Sequence, residues 1–164
     1  MENNKFVAIA IFWATVLTLS VFYSTKGHAK VSFEQAKAVF SRIQNAAGTH
    51  TMLFLDSSSD VNAHATPYAI HINQGLLDFC DTPAEVALVL GHEITHFIHR
   101  DAAQVYGNAQ QELTADKEGY YYTVKSGFKN SLRFMKKCRK AFGDGGDEVH
   151  PSWSYRLKHV KGGN

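Results

Sequence analysis

The strongest local instruction in this 164-residue chain is Thr82-Pro83-Ala84-Glu85. A threonine hydroxyl at the N-cap, proline at the first helical position and glutamate at N3 together specify a helix start. Val86, Leu88, Val89 and Leu90 follow with no breaker except Gly91, so the helix runs as a buried element into His92-Glu93-Ile94-Thr95-His96. Residues four apart share a helix face. His92 and His96 can therefore offer imidazole nitrogens to one ion at about 2.0–2.1 Å. Glu93 lies about 100° round the helix from His92, beside an open coordination position. There it can take a proton from a water that the metal acidifies toward a pKa of ~7. Any fold for this chain must bury the helix and still leave its histidine edge accessible to an ion.

A catalytic zinc site takes three protein ligands and keeps a fourth position for water. The extended pattern that supplies a third histidine six residues on, after a glycine, is absent, because positions 99 and 102 are His99 and Ala102. Glu112 and Asp116 are the better candidates. They are four apart on the next expected helix, about Ala109 to Ser126 with Gly127 as its stop, so both can face the first helix. One carboxylate can bind the metal while the other orients a ligating histidine through its second ring nitrogen.

The surrounding pattern is α+β. Ser32 and Gln35 form a capping-box start, and Phe33, Ala36, Val39, Phe40 and Ile43 then recur at helical spacing up to Gly48. Met52 to Leu55 is an apolar run expected as a buried strand, with a turn over Asp56 to Asp60. Residues 61–73 have β-type composition, and Pro67 demands an edge or a turn. Later helices are expected over Ser131 to Phe142 and Trp153 to Val160, with a loop at Gly143 to Gly146 between them. A small antiparallel or mixed sheet, an active-site helix and following helices make one domain over residues 30–164.

Residues 6–23 carry no charge and as a helix would reach about 27 Å, close to a bilayer core. Residues 1–29 read either as a cleaved signal ending at Gly27-His28-Ala29 or as an N-terminal apolar anchor helix. Either way the chain is expected to be exported or membrane-anchored, with the extracytoplasmic side as the expected location. Lys26 and Lys30 after the run leave the opposite orientation open. Lys+Arg 17 against Asp+Glu 15 gives a net charge of +2, which offers no basic footprint for nucleic acid. Cys80 and Cys138 are too few for a disulfide framework or a cysteine-rich zinc module, although they could pair in an exported domain. His64 and His71 read as strand residues facing solvent, and Tyr120, Tyr121, Tyr122, Phe128 and Phe134 as packing.

Gly91-His92-Glu93-Ile94-Thr95-His96 followed by Glu112 and Asp116 resembles the zinc metallopeptidases that include the CAAX prenyl protease, the HtpX heat-shock membrane protease and the Oma-type mitochondrial protease. Val61-Asn62-Ala63-His64-Ala65-Thr66-Pro67 is similar to that family's strand segment before the active helix. Ala115-Asp116-Lys117-Glu118-Gly119 resembles the run around its third ligand, and His150-Pro151 with Arg156 its C-terminal signature. The resemblance implies a zincin-like fold of gluzincin type and one Zn2+ held by His92, His96 and Glu112. It also implies Glu93 as general base and Asp116 behind a ligand. Asn62 and Ala63 would lie on an edge strand that pairs with an extended polypeptide substrate. His150 would stabilise the oxyanion, and Arg156 would hold that region or the substrate. His96 to Glu112 is a shorter connection than many relatives carry.

The expected activity is therefore zinc-dependent endoproteolysis. Two alternatives stay open at the level of sequence: a zinc-stabilised, non-catalytic or chaperone-like module binding extended chains, and a metal-dependent hydrolase of bonds other than peptides.

Overall fold

The computed structural model describes residues 30–101 and 107–162. The apolar stretch over residues 6–23, and with it the signal or anchor expectation, lies outside the described residues. Among the described residues no helix is long and apolar enough to cross a membrane.

Helix α1 (Phe33–Ala47) begins where Ser32 and Gln35 exchange side-chain and backbone bonds, and ends at Gly48 in the left-handed conformation, φ 69°. Three strands follow: β1 (Met52–Asp56), β2 (Ala63–Ala65) and β3 (Ala69–Asn73). Their order is β1-β3-β2, with β1 parallel and β2 antiparallel to the central β3, so the sheet is mixed. Pro67 sits in the tight turn between β2 and β3, where the Thr66 hydroxyl bonds the backbone of Ala69. Five helices complete the described residues: α2 (Gln74–Phe79), α3 (Pro83–His99), α4 (Ala109–Lys125), α5 (Arg133–Phe142) and α6 (Trp153–Lys161).

One face of the sheet and the inner faces of α1 and α3 enclose the core, which includes Ile43, Ile70, Ile72, Leu77, Val86, Leu90 and Ile94. Strand β1 corrects an expectation. Its apolar letters suit a buried strand, yet Met52 is 58% exposed and Phe54 43%, because β1 is an edge whose outer face has no covering helix. Helix α2 has no counterpart in the sequence reading. It is six residues long with no side-chain cap, too short to show a helical period.

The start of α3 is secured from outside the helix. Thr82 caps it through Glu85 N–H, and the buried Glu85 carboxylate accepts from Asp81 N–H at 2.7 Å. Asp81 in turn pairs with Lys30 at 2.6 Å and Lys137 at 2.7 Å, and Lys137 also donates to the Phe79 carbonyl. Hydrogen bonds from Lys137 and then Lys30 hold the Asp81 carboxyl down at about 2. A depressed carboxyl stabilises the fold above its unfolded pKa, near 4, and loses that contribution as pH falls through 2. Because Asp81 is largely solvated, the effect is modest and salt-sensitive. The difference in melting temperature between the native chain and Asp81→Asn should be positive at pH 7, shrink toward pH 2 and shrink with added salt.

Candidate metal centre

Helices α3 and α4 cross at two glycines. A Cβ on Gly91 would lie 2.5 Å from the Gly119 carbonyl oxygen, and one on Gly119 would lie 2.5 Å from His92 N. The two backbones are thus in direct contact, which side chains at either position would prevent. The buried Thr123 hydroxyl, within 3.0 Å of the Ala87 carbonyl oxygen and 2.7 Å of the Gly119 carbonyl oxygen, marks the same seam. The crossing sets one turn of α3, carrying His92 and His96, against the first two turns of α4, carrying Glu112 and Asp116.

The donors converge as their spacing predicts. His92 Nε2 and His96 Nε2 are 2.9 Å apart, Glu112 Oε2 is 3.5 Å from the first and Glu112 Oε1 is 3.3 Å from the second. Four ligands around zinc at about 2.0–2.1 Å stand about 3.3 Å from one another. The three separations fit one tetrahedral ion, and two imidazoles with a carboxylate are a donor set for zinc.

Behind the donors lies a layer of fixed charge. His92 Nδ1 is 3.0 Å from Asp116 Oδ1. Arg156 donates through Nε and Nη2 to the two Asp116 oxygens, each at 2.7 Å, while its Nη2 stands 3.4 Å from Glu112 Oε2. This buried fork stacks against the Trp153 ring. Arg156, assigned from sequence to holding this region or the substrate, has its guanidinium engaged on Asp116. His96 Nδ1 is 2.8 Å from Asp101 Oδ2, and Gln111 Nε2 donates to Asp101 Oδ1 at 3.1 Å.

Asp101 escaped the sequence reading. It lies just past the end of α3, which is closed by Arg100 in the left-handed conformation, φ 58°, instead of by a glycine. With no glycine to mark the stop, nothing placed an acid five residues after His96 beside that imidazole. His92 and His96 thus each have a carboxylate on the ring nitrogen turned away from the other donors, the arrangement that fixes tautomer and ring orientation in metal-ligating histidines. Asp101→Asn should weaken zinc binding about 10–100-fold at constant pH with little change in melting temperature of the metal-free protein. Competition with a chromogenic chelator measures it.

The electrostatics follow from burial and pairing. Burial opposes charge on His92, but hydrogen bonding with Asp116 and Glu112 prevails and pushes it up to about 10. His96 is raised in the same way, against burial and the neighbouring His92, by Glu112. Glu112 and Asp116 are held below the usual carboxylate range despite burial, Glu112 chiefly by the two histidines and Asp116 chiefly by Arg156. Glu93 moves the other way. Burial raises its pKa, against the pull of His92, His96 and a backbone hydrogen bond with Ala65. Glu112 is thus kept ionised while ionisation of its neighbour Glu93 is disfavoured, a separation of the kind found at acid–base sites.

A cleft of about 130 Å³ opens on these groups, and Asn62, Ala63 and His150 border it along with His92, Glu93 and Glu112. Strand β2 is the sheet edge facing this cleft. His150 is anchored by Asp147, whose Oδ1 accepts from His150 N–H at 2.6 Å and lies 3.1 Å from its Nδ1. His99 stands apart on Glu118 at 2.9 Å. Cys80 and Cys138 are buried free thiols, and burial pushes Cys138 up to about 12.

Residues 30–110 match the sequence model of peptidase family M48. The match includes all of α3 with its two histidines and Glu93, and stops just before Glu112. No curated protein and no solved structure matches the chain.

Proposed function

This chain belongs to peptidase family M48, a family of zinc metallopeptidases, and from that premise we propose that it is a zinc-dependent endopeptidase cutting extended polypeptides at His92, His96 and Glu112. The observation that carries the reading is the meeting of these three donors within 4.8 Å of one another, next to the buried Glu93. Zinc held there would supply a Lewis acid that polarises a peptide carbonyl and makes water acidic enough to ionise near neutral pH.

The chain's own residues do the rest. Glu93, buried beside the donors, takes the proton of the attacking water and later passes it to the leaving amine. Asp116 and Asp101 keep the two imidazoles turned toward the ion. Arg156 holds Asp116 in place and offsets the charge of two buried carboxylates. Strand β2, through the backbone around Asn62 and Ala63, adds an extended substrate to the sheet edge. His150, fixed by Asp147, donates to the oxyanion of the tetrahedral intermediate.

The full chain loaded with zinc should cut an unstructured protein such as casein at internal bonds. Cleavage should stop with 1,10-phenanthroline and return on adding zinc. Cleavage that resists the chelator counts against the reading. So does a zinc-loaded chain that binds casein and leaves it whole, which is the behaviour of a non-catalytic binding module.

A further inference from the structure

A second group of metal-ligating side chains lies on the sheet, away from the α3–α4 seam. Strand β3 is central, and its His71 is paired with Phe54 of β1 on one side and His64 of β2 on the other. Alternation along the strands settles the faces. Ile70 and Ile72 of β3 and Ala63 and Ala65 of β2 are buried toward the helices, so His71 and His64 share the outward face. Phe54 is on that face too, its ring 5.4 Å from His71, and Asp56, two residues further along β1, joins it. The His64 and His71 rings stack at 4.9 Å with 7° between their planes. His71 Nδ1 stands 3.3 Å from the Asp56 carboxylate. One ligand atom from each of Asp56, His64 and His71 lies within 4.8 Å of the others, and all three residues are half-buried.

We propose that Asp56, His64 and His71 form a second binding site for a divalent transition-metal ion on the outward face of the sheet. Two imidazoles and one carboxylate select borderline ions such as Zn2+, Ni2+ and Cu2+; Mg2+ and Ca2+ prefer all-oxygen shells. Three protein ligands on a partly open face leave the remaining positions to water, so the ion exchanges with solvent and binds more weakly than at a buried centre. The site shares no ligand with His92, His96 and Glu112. Its ligands come one from each strand, so an ion there ties both edges of the sheet to β3. His64 also borders the cleft, which links the site to β2 on the side where substrate is proposed to add.

The test is a titration of the full chain with Zn2+, with Mg2+ as the comparison ion. Two equivalents of Zn2+ are expected, the second at least tenfold weaker than the first, and none of Mg2+ at the same concentrations. His71→Asn should lose the second equivalent and keep the first, and Asp56→Asn should weaken the second about tenfold. As a readout in the unmutated chain, Ni2+ added to the zinc-loaded protein should broaden the ring resonances of His64 and His71 before those of other histidines. A single equivalent up to millimolar Zn2+ that survives in His71→Asn overturns the proposal, as does a folded His71→Asn that still takes two. Broadening that spares His64 and His71 overturns it as well, whether or not the variants fold. The peptidase reading does not enter: loss of the first equivalent with the second retained would contradict that reading alone.

Discussion

Glu93→Gln keeps its zinc and loses about 10²–10⁴-fold in turnover. The two halves of this expectation have separate causes. Glu93 is not among the three converging donors, so removing its charge leaves the ligand set intact. Glutamine has the same shape, and because burial already disfavours ionisation of Glu93, the neutral amide costs the fold little. What disappears is an acceptor for the proton of water and the carrier that returns it to the leaving nitrogen. The defect should therefore appear in kcat, with KM for casein-derived peptides little changed and zinc content equal to that of the native chain. Substantial residual turnover would remove Glu93 from the chemistry. Loss of zinc would mean that it helps to hold the ion.

Gly119→Ala has the largest expected structural effect. The added methyl would sit 2.5 Å from His92 N and 2.6 Å from Gly91 C. Both are backbone atoms, so no side-chain rotation relieves the contact and α3 and α4 must move apart. Overpacking of this kind costs about 1–3 kcal/mol and occasionally more. The upper end corresponds to a fall of roughly 10 °C in melting temperature for a domain of this size. The same movement carries Asp116, less than one turn before Gly119, away from His92. Zinc retention should fall together with stability. Gly145→Ala is the control, because nothing lies within 4 Å of a Cβ there. If Gly119→Ala melts with Gly145→Ala and carries as much zinc, the helix crossing does not position the site.

What the sequence made legible, and what it hid, divides along physical lines. The starts of α1 and α3 are written in side chains that satisfy orphan backbone N–H groups, Ser32 with Gln35 and Thr82 with Glu85, and both helices begin there. The convergence of His92, His96, Glu112 and Asp116 was legible because helical spacing converts to geometry: residues four apart on each of two helices meet once those helices cross. Strand β1 was misread as buried because four apolar letters do not reveal which neighbour covers them, and none covers the outer face of an edge strand. The pairing of Arg156 with Asp116 spans 40 positions, and no local pattern encodes it. Asp101 was hidden by a helix end without glycine. The grouping of Asp56, His64 and His71 depends on strand register, which no single strand displays. Contacts within an element, or between elements with a matching period, can be read from the chain. Contacts made by tertiary closure cannot.

The proposed zinc centre requires that three side chains from two helices hold one ion tightly. It is tested most directly by the tight zinc content of the purified full chain beside its Glu112→Ala variant, measured after dialysis against a weak chelator. One zinc per chain for the native protein and none for a folded Glu112→Ala variant is the result this account requires. A Glu112→Ala protein that retains its zinc at undiminished affinity would contradict it.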